Sequence, residues 1–193
     1  MVLRLLLLAV VSLMVNPAMA LEEPEYEILA EAAHYEIRRY APYIVAEVDV
    51  SGRSADSEGF RVLAGYIFGD NDDSEKMQMT APVESLTPED TDLMTYRFVM
   101  ESKYTLDSLP EPNNDRIRLR EKPARIVAVR KFSGRWSDTN VAKNELQLLS
   151  DLAKDGVELS GTLELARYNS PFTPWFLRRN EVMVPVSWPA TTP

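Results

Sequence analysis

A single imidazole, His34, and no thiol stand among the 193 residues. The missing cysteines exclude disulfides, thiolate zinc sites, cysteine-ligated iron–sulfur clusters and cysteine nucleophiles together. One ring cannot build a histidine-rich metal centre, and a Ser-His-Asp triad would rest on it alone. Carboxylates are left for proton transfer. Glu58, Glu84 and Glu181 are available, since paired acids do general acid–base work without histidine. No G-x-S-x-G, H-E-x-x-H, G-x-G-x-x-G or Walker lysine string fixes one of them beside a substrate, so no catalytic residue is assigned. Asp70-Asn71-Asp72-Asp73-Ser74-Glu75 is dense in acid, but it lacks the sixth-position Gly and distal Glu of an EF-hand loop. It reads as a solvated acidic loop, and any metal stays unknown. Pro171-Phe172-Thr173-Pro174-Trp175-Phe176 reads as a rigid crossover whose aromatics plug one end of the fold, with a partner-docking strip as the alternative.

These residues sit on a strand-rich chain with two helical patterns. Alternation predicts strands over Tyr35–Tyr40 and Tyr43–Val50, joined by a turn at Ala41-Pro42. Helical spacing covers Ser54–Phe68, with Ser54 as cap and Gly69 as stop. Lys76–Ser85 and Thr95–Ser102 read as extended. After a polar loop at Leu109–Asp115 the order starts over: strands at Arg116–Glu121 and Arg125–Phe132, a helix over Ser137–Lys154, then strands at Thr162–Tyr168 and Glu181–Ser187.

Two triplets return in register. Ile44-Val45-Ala46 recurs as Ile126-Val127-Ala128, and Ser51-Gly52-Arg53 as Ser133-Gly134-Arg135, both displaced by 82 positions. Each pair precedes the predicted helix of its half. The chain is therefore read as an internal duplication of β-β-α-β-β units, about 26–105 and 114–188. Neither half closes its own core, so the expected fold is α+β: one distorted β-barrel or two-sheet domain with both helices outside.

Residues 1–20 read as an address. Arg4 is the positive end, Leu5 to Val15 is apolar apart from Ser12, and Ala18-Met19-Ala20 offers a small-x-small cleavage site. Cleavage is expected after Ala20, leaving 21–193 as one exported domain, periplasmic or secreted. No later run approaches the roughly 20 apolar residues of a membrane span. The leader holds one base and no acid, so its loss moves the net charge from −9 to −10. Such an acidic surface disfavours nucleic acid and anionic lipid as partners. The expected mature protein is a monomer without stable membrane insertion.

The second helix gathers Val141, Leu148, Leu149 and Leu152 on one face, opposite Lys143, Gln147, Ser150 and Lys154. The first differs. Phe60, Leu63, Ala64 and Ile67 form a core stripe, while Val62 and Tyr66 form a second apolar strip facing away, with Gly59 beside it. Either a loop around Asp70 to Met79 or a flat hydrophobic ligand covers that strip.

Three strings then converge. They are Tyr35-Glu36-Ile37-Arg38-Arg39-Tyr40, Lys76-Met77-Gln78-Met79-Thr80-Ala81-Pro82-Val83, and the segment from Tyr168 to Val182 with its Arg178-Arg179-Asn180-Glu181-Val182 end. In order and spacing they resemble the signatures of the SOUL haem-binding protein family, over roughly Glu25 to Val186. The resemblance implies a duplicated β-β-α-β-β domain akin to bacterial effector-binding domains, and non-covalent association with haem or another tetrapyrrole. It implies a groove beside the first helix. The matching positions are Val62, Tyr66, Met77 and Met79, with Arg53, Arg61 and Lys76 as partners for the propionates. Carboxylates pair well with guanidinium forks. His34 matches no groove position, so weak or absent axial ligation is expected, with Tyr66, Met77 and Met79 open as ligands. Two alternatives remain: an effector-binding-like pocket for another small hydrophobic molecule, gaining if Glu181 proves buried in an apolar pocket beside a tyrosine and losing if it is exposed and paired with Arg178 or Arg179, and a protein-interaction domain without ligand.

Overall fold

The computed structural model describes residues 21–88 and 91–188. Ten strands and two helices follow in chain order: β1 Tyr26–Glu31, β2 Glu36–Tyr40, β3 Tyr43–Val50, α1 Ala55–Ile67, β4 Val83–Leu86, β5 Met94–Val99, β6 Arg118–Lys122, β7 Arg125–Phe132, α2 Asp138–Lys154, β8 Glu158–Leu159, β9 Glu164–Arg167 and β10 Asn180–Ser187. All strands join one curled antiparallel sheet, in the order β1-β2-β7-β10-β9-β4-β5-β3-β6, with β8 paired to β10 off that path. The expected α+β architecture is present, as one sheet rather than two.

Exchanging β2 with β6, β3 with β7, β4 with β9 and β5 with β10 reverses the order from β2 to β6 onto itself. The two β-β-α-β-β units are thus related by a pseudo-two-fold axis between β9 and β4. They also exchange partners: β2 pairs with β7 of the other unit, and β6 with β3. Neither unit could keep its sheet alone, because its first strand is hydrogen-bonded to its sibling.

Strand alternation sorts the side chains by face. On one face, Ala46, Val48 and Val50 of β3 and Tyr96 and Phe98 of β5 meet Leu63 and Ile67 of α1. Ala128 of β7 and Val182 and Val184 of β10 meet Leu148 and Leu152 of α2 on the same side. The opposite face lines the inside of the curl, where Tyr40, Val127, Val129, Ala166, Tyr168 and Met183 cluster.

Two elements depart from expectation. Residues 76–82 are extended but unpaired, because their hydrogen bonds go elsewhere: Met77 N–H to Ile67 O at 2.9 Å, Thr80 Oγ1 to Val99 O at 2.6 Å and Ala81 N–H to Glu22 O at 2.8 Å. Strand β1, unforeseen from the sequence, caps β2 with the register Tyr26 opposite Tyr40 and Glu31 opposite Glu36.

Candidate functional site

The face of α1 is the first correction. Gly59 lies against the sheet, where an added Cβ would stand 2.7 Å from Tyr96 Cγ. That close approach turns the helix so that Tyr66 is fully buried and Phe60 is 42% exposed, the reverse of the expected roles. The Tyr66 hydroxyl donates to Pro110 O at 2.8 Å, and Asn71 Nδ2 donates to Tyr66 O at 3.1 Å. Burial, followed by the charge of Glu111, pushes this phenol well above its ordinary range, so it stays a protonated donor. Val62 is half-buried against the same cluster, which Leu109 and Ile117 complete. Arg116 closes the flank with an ion pair to Glu58 at 2.8 Å. The strip is therefore sealed by the chain itself, mostly by residues 109–117 rather than by Asp70–Met79 alone.

Of the other expected site residues, Met77 is buried, Met79 is half-buried, and Arg53, Arg61 and Lys76 are exposed. The outward apolar side of α1 is instead Phe60 and the C-cap residue Phe68, about two turns apart and 42% and 59% exposed, while Ala64 between them is buried in the core. Arg61 lies on this side by helical phase, Arg53 precedes the helix, and Lys76 hangs beside its C-terminal end through the Met77–Ile67 hydrogen bond.

Inside the curl the sheet carries ion pairs that sequence reasoning missed. Glu164 takes a two-pronged contact from Arg125, both distances 2.8 Å, and another from Lys122 Nζ at 3.1 Å. Lys122 also reaches Glu84 at 2.8 Å, and Glu84 accepts from the Tyr43 hydroxyl at 2.7 Å. Burial by itself would raise the Glu164 carboxyl, but the hydrogen bond from Arg125 and the charges of Lys122, Arg125 and Arg97 hold it down at about 2. The only hint in the sequence was charged residues at alternate positions of otherwise apolar strands, such as Glu47 and Asp49 in β3.

Glu181 is fully buried beside tyrosines, the first half of the condition that favours an effector-binding or catalytic pocket. Its oxygens are nevertheless filled. Arg38 Nη1 and Nη2 donate at 2.9 and 3.2 Å, Tyr168 donates at 2.8 Å and Arg179 Nε at 3.0 Å. Arg38 is itself shielded by the Tyr26 ring, 4.3 Å away. A carboxylate so saturated is a structural anchor, with no open coordination for a substrate proton.

The family model described as SOUL heme-binding protein matches residues 21–185, which include every strand and helix but the last two residues of β10. The chain belongs to the SOUL family of haem-binding proteins. Curated relatives agree: Heme-binding protein 2 of Mus musculus is 29% identical over 185 residues, covering 86% of this chain and 90% of that one. Its Homo sapiens counterpart is 29% identical over 184 residues, covering 85% and 89%. Among solved structures, the EcmrR C-terminal domain superposes with a TM-score of 0.62 at 12% identity, covering 84% of this chain and 98% of that one. A hydrolase from Listeria innocua gives 0.56 at 12%, covering 82% and 94%. At such identities these two speak for the fold alone.

In this SOUL chain the remaining singled-out residues are scattered. His34 is exposed and borders a small recess with Asp151, Lys154 and Asp155 at the end of α2, in the half opposite α1. The Asp70–Glu75 loop is ordered by Asn71, which is buried and accepts from Glu75 N–H at 2.9 Å while donating to Glu75 O. No cluster of potential metal ligands occurs among the described residues. The Pro171–Phe176 aromatics plug nothing: Phe172 is 94% exposed, and Trp175 and Phe176 are more than half exposed. Pro171 and Pro174 bracket a short turn held outward by its own backbone hydrogen bonds, which leaves the rings no core to enter.

Proposed function

We propose that this protein binds haem or a related tetrapyrrole non-covalently, as an exported binding protein without catalytic activity of its own. The family match over 21–185 carries the reading. The proposed berth is the outward side of α1, revised from the expected groove: Phe60 and Phe68 offer the planar ring apolar contact, with half-buried Met79 at the margin and Val62 left out in its sealed flank. Arg53, Arg61 and Lys76 supply the positive charge that propionates need. These residues fit one face of a flat anion and hold it by contact area and charge.

Iron is not gripped firmly in this reading. Tyr66 has its hydroxyl committed to Pro110 O, Met77 is buried, and His34 lies with the other helix. Met79 is the one expected ligand still partly open. Haem would supply an iron centre able to take a further ligand; the chain's part is to bind and orient it. The saturation of Glu84, Glu164 and Glu181 supports binding rather than catalysis.

Hemin titration of the purified protein, read at the Soret band, tests this. The expected result is saturable binding that weakens roughly tenfold in Phe60→Ser/Phe68→Ser and is unchanged in His34→Ala. A sharp Soret shift abolished by His34→Ala would move the site to the α2 half and overturn the berth. Export is tested separately. Mass spectrometry of the protein recovered outside the cytoplasm should show a chain beginning at Leu21.

A further inference from the structure

The exposed strip at residues 171–178 lies far from this berth in the chain and has its own physical logic. Four large apolar side chains, Phe172, Trp175, Phe176 and Leu177, each more than half exposed, fall within six residues. The backbone beneath them is pinned. Arg178 Nε donates to Thr173 O at 2.9 Å and its Nη2 to Pro171 O at 2.6 Å, while Leu177 N–H reaches Pro174 O at 2.9 Å. Gly134 N–H donates to Trp175 O at 3.0 Å, and Arg178 stacks 4.3 Å from the Trp136 ring, which locks the strip onto the segment that precedes α2. Presenting these side chains therefore costs little further ordering.

The charge here is also local. A chain with 30 acidic residues has none from Tyr168 to Asn180 and none from Ser133 to Ser137. Arg135 and Arg178 line an open recess of about 570 Å³ between the two segments, and among the described residues Arg135 has no carboxylate partner.

We propose that this edge docks shallowly on a phospholipid bilayer, with the four apolar side chains at the headgroup boundary and Arg135 and Arg178 facing the phosphates. Three features choose lipid over protein. A side chain exposed to 94% on a protruding turn has no matching concavity of its own and suits a deformable partner. Trp and Phe flanked by Arg is the composition that settles at membrane interfaces. A second copy packed strip to strip about a two-fold would set like guanidiniums against each other. No helix among the described residues is long and apolar enough to cross a membrane, so the association is peripheral. The overall charge of −9 works against anionic bilayers, which makes the zwitterionic surface the primary one.

The test is co-sedimentation with phosphatidylcholine vesicles, with and without added phosphatidylglycerol. Wild type and variants are compared in the same chain so that any contribution of residues 1–20 cancels. Phe172→Ser/Phe176→Ser should lower the partition coefficient roughly tenfold or more. Arg135→Glu should lower it by a smaller factor, greater with phosphatidylglycerol present, and both variants should keep the wild-type melting curve. Three results would overturn the proposal: no retention of wild type, equal retention of the double variant, or a sedimentation coefficient that falls from dimer to monomer in that variant without vesicles. Hemin binding is not needed for any of them.

Discussion

The two β-β-α-β-β units share a topology and differ in what they bury. Inside the curl, β3 presents Glu47 where β7, 82 positions later, presents Val129. Glu47 is answered by Arg97 at 2.9 Å and by Arg118 and Arg120 at 3.2 and 3.1 Å, two of these cations being supplied by β6 of the other unit. Around Val129 the packing is apolar, with Tyr40, Ala166 and Met183, and the buried charge is concentrated in the Arg38–Glu181 pair. Outside, α2 packs in the ordinary one-sided way, whereas α1 is pressed onto Tyr96 at Gly59 and covered along one flank by residues 109–117. Strand exchange is a backbone property and tolerates such divergence. It lets the helix surface of one unit diverge from that of the other while the strand ladder shared between them stays intact.

The sharpest way to break this contrast is at the two buried carboxylates. Glu181→Gln strips the fully buried Arg38 of its buried counter-charge, leaving it only the partly exposed Glu36 at 2.8 Å on Nε, and should cost up to about 3–5 kcal/mol, seen as a large drop in the urea midpoint. Glu47→Gln, whose arginine partners are partly exposed, should cost clearly less. Equal losses would mean that the two units are not differently anchored.

Acid should act on the β6–β9 network next. The Glu164 carboxyl is held at about 2 in the fold against 4.5 unfolded. A depressed folded value adds stability that is fully present above the unfolded value and is lost as the pH falls from about 4.5 towards 2. The contribution is on the order of 3 kcal/mol. Stability measured against pH should fall through that window in the wild type and more gently in Glu164→Gln.

Two glycines of α1 give opposite signs. Gly59→Ala drives a methyl into Tyr96 and should destabilise by about 1–3 kcal/mol. Gly65→Ala meets only Asp70, no nearer than 3.8 Å, and should stabilise by about 0.5–1 kcal/mol through helix propensity. Thermal melts of both decide whether α1 really lies on its Gly59 side. Tyr66→Phe should cost about 1 kcal/mol by removing the donor to Pro110 O, and hydrogen exchange in residues 109–117 should quicken. An unchanged loop would mean that the flank is sealed by packing alone.

Much of the architecture was legible. The strands at Tyr43–Val50 and Arg125–Phe132 have the bounds read from alternation, and α2 starts at its Ser137 cap, whose hydroxyl accepts from Asn140 N–H. The 82-residue offset anticipates the palindromic strand order. The face of α1 was not legible, because helical phase ranks apolar side chains and gives a glycine no weight, although contact with Tyr96 at Gly59 sets the rotation. Strand β1 was missed since its half-exposed pattern, Tyr26-Glu27-Ile28-Leu29-Ala30-Glu31, looks like a linker until β2 lies beside it. The Arg178 side chain, bonded to its own loop carbonyls, is what turns the 171–177 aromatics outward, a local event that composition cannot register.

The sequence by itself determined the family, the doubled unit and the chemical poverty of the chain, because motifs, repeats and the absence of thiols are facts of order and composition. Only the tertiary structure decided which apolar residues stay outside and which carboxylates are already matched by cations. Burial and pairing depend on contacts between residues far apart in the chain, 39 positions for Arg125 with Glu164 and 143 for Arg38 with Glu181, and no local window contains both partners.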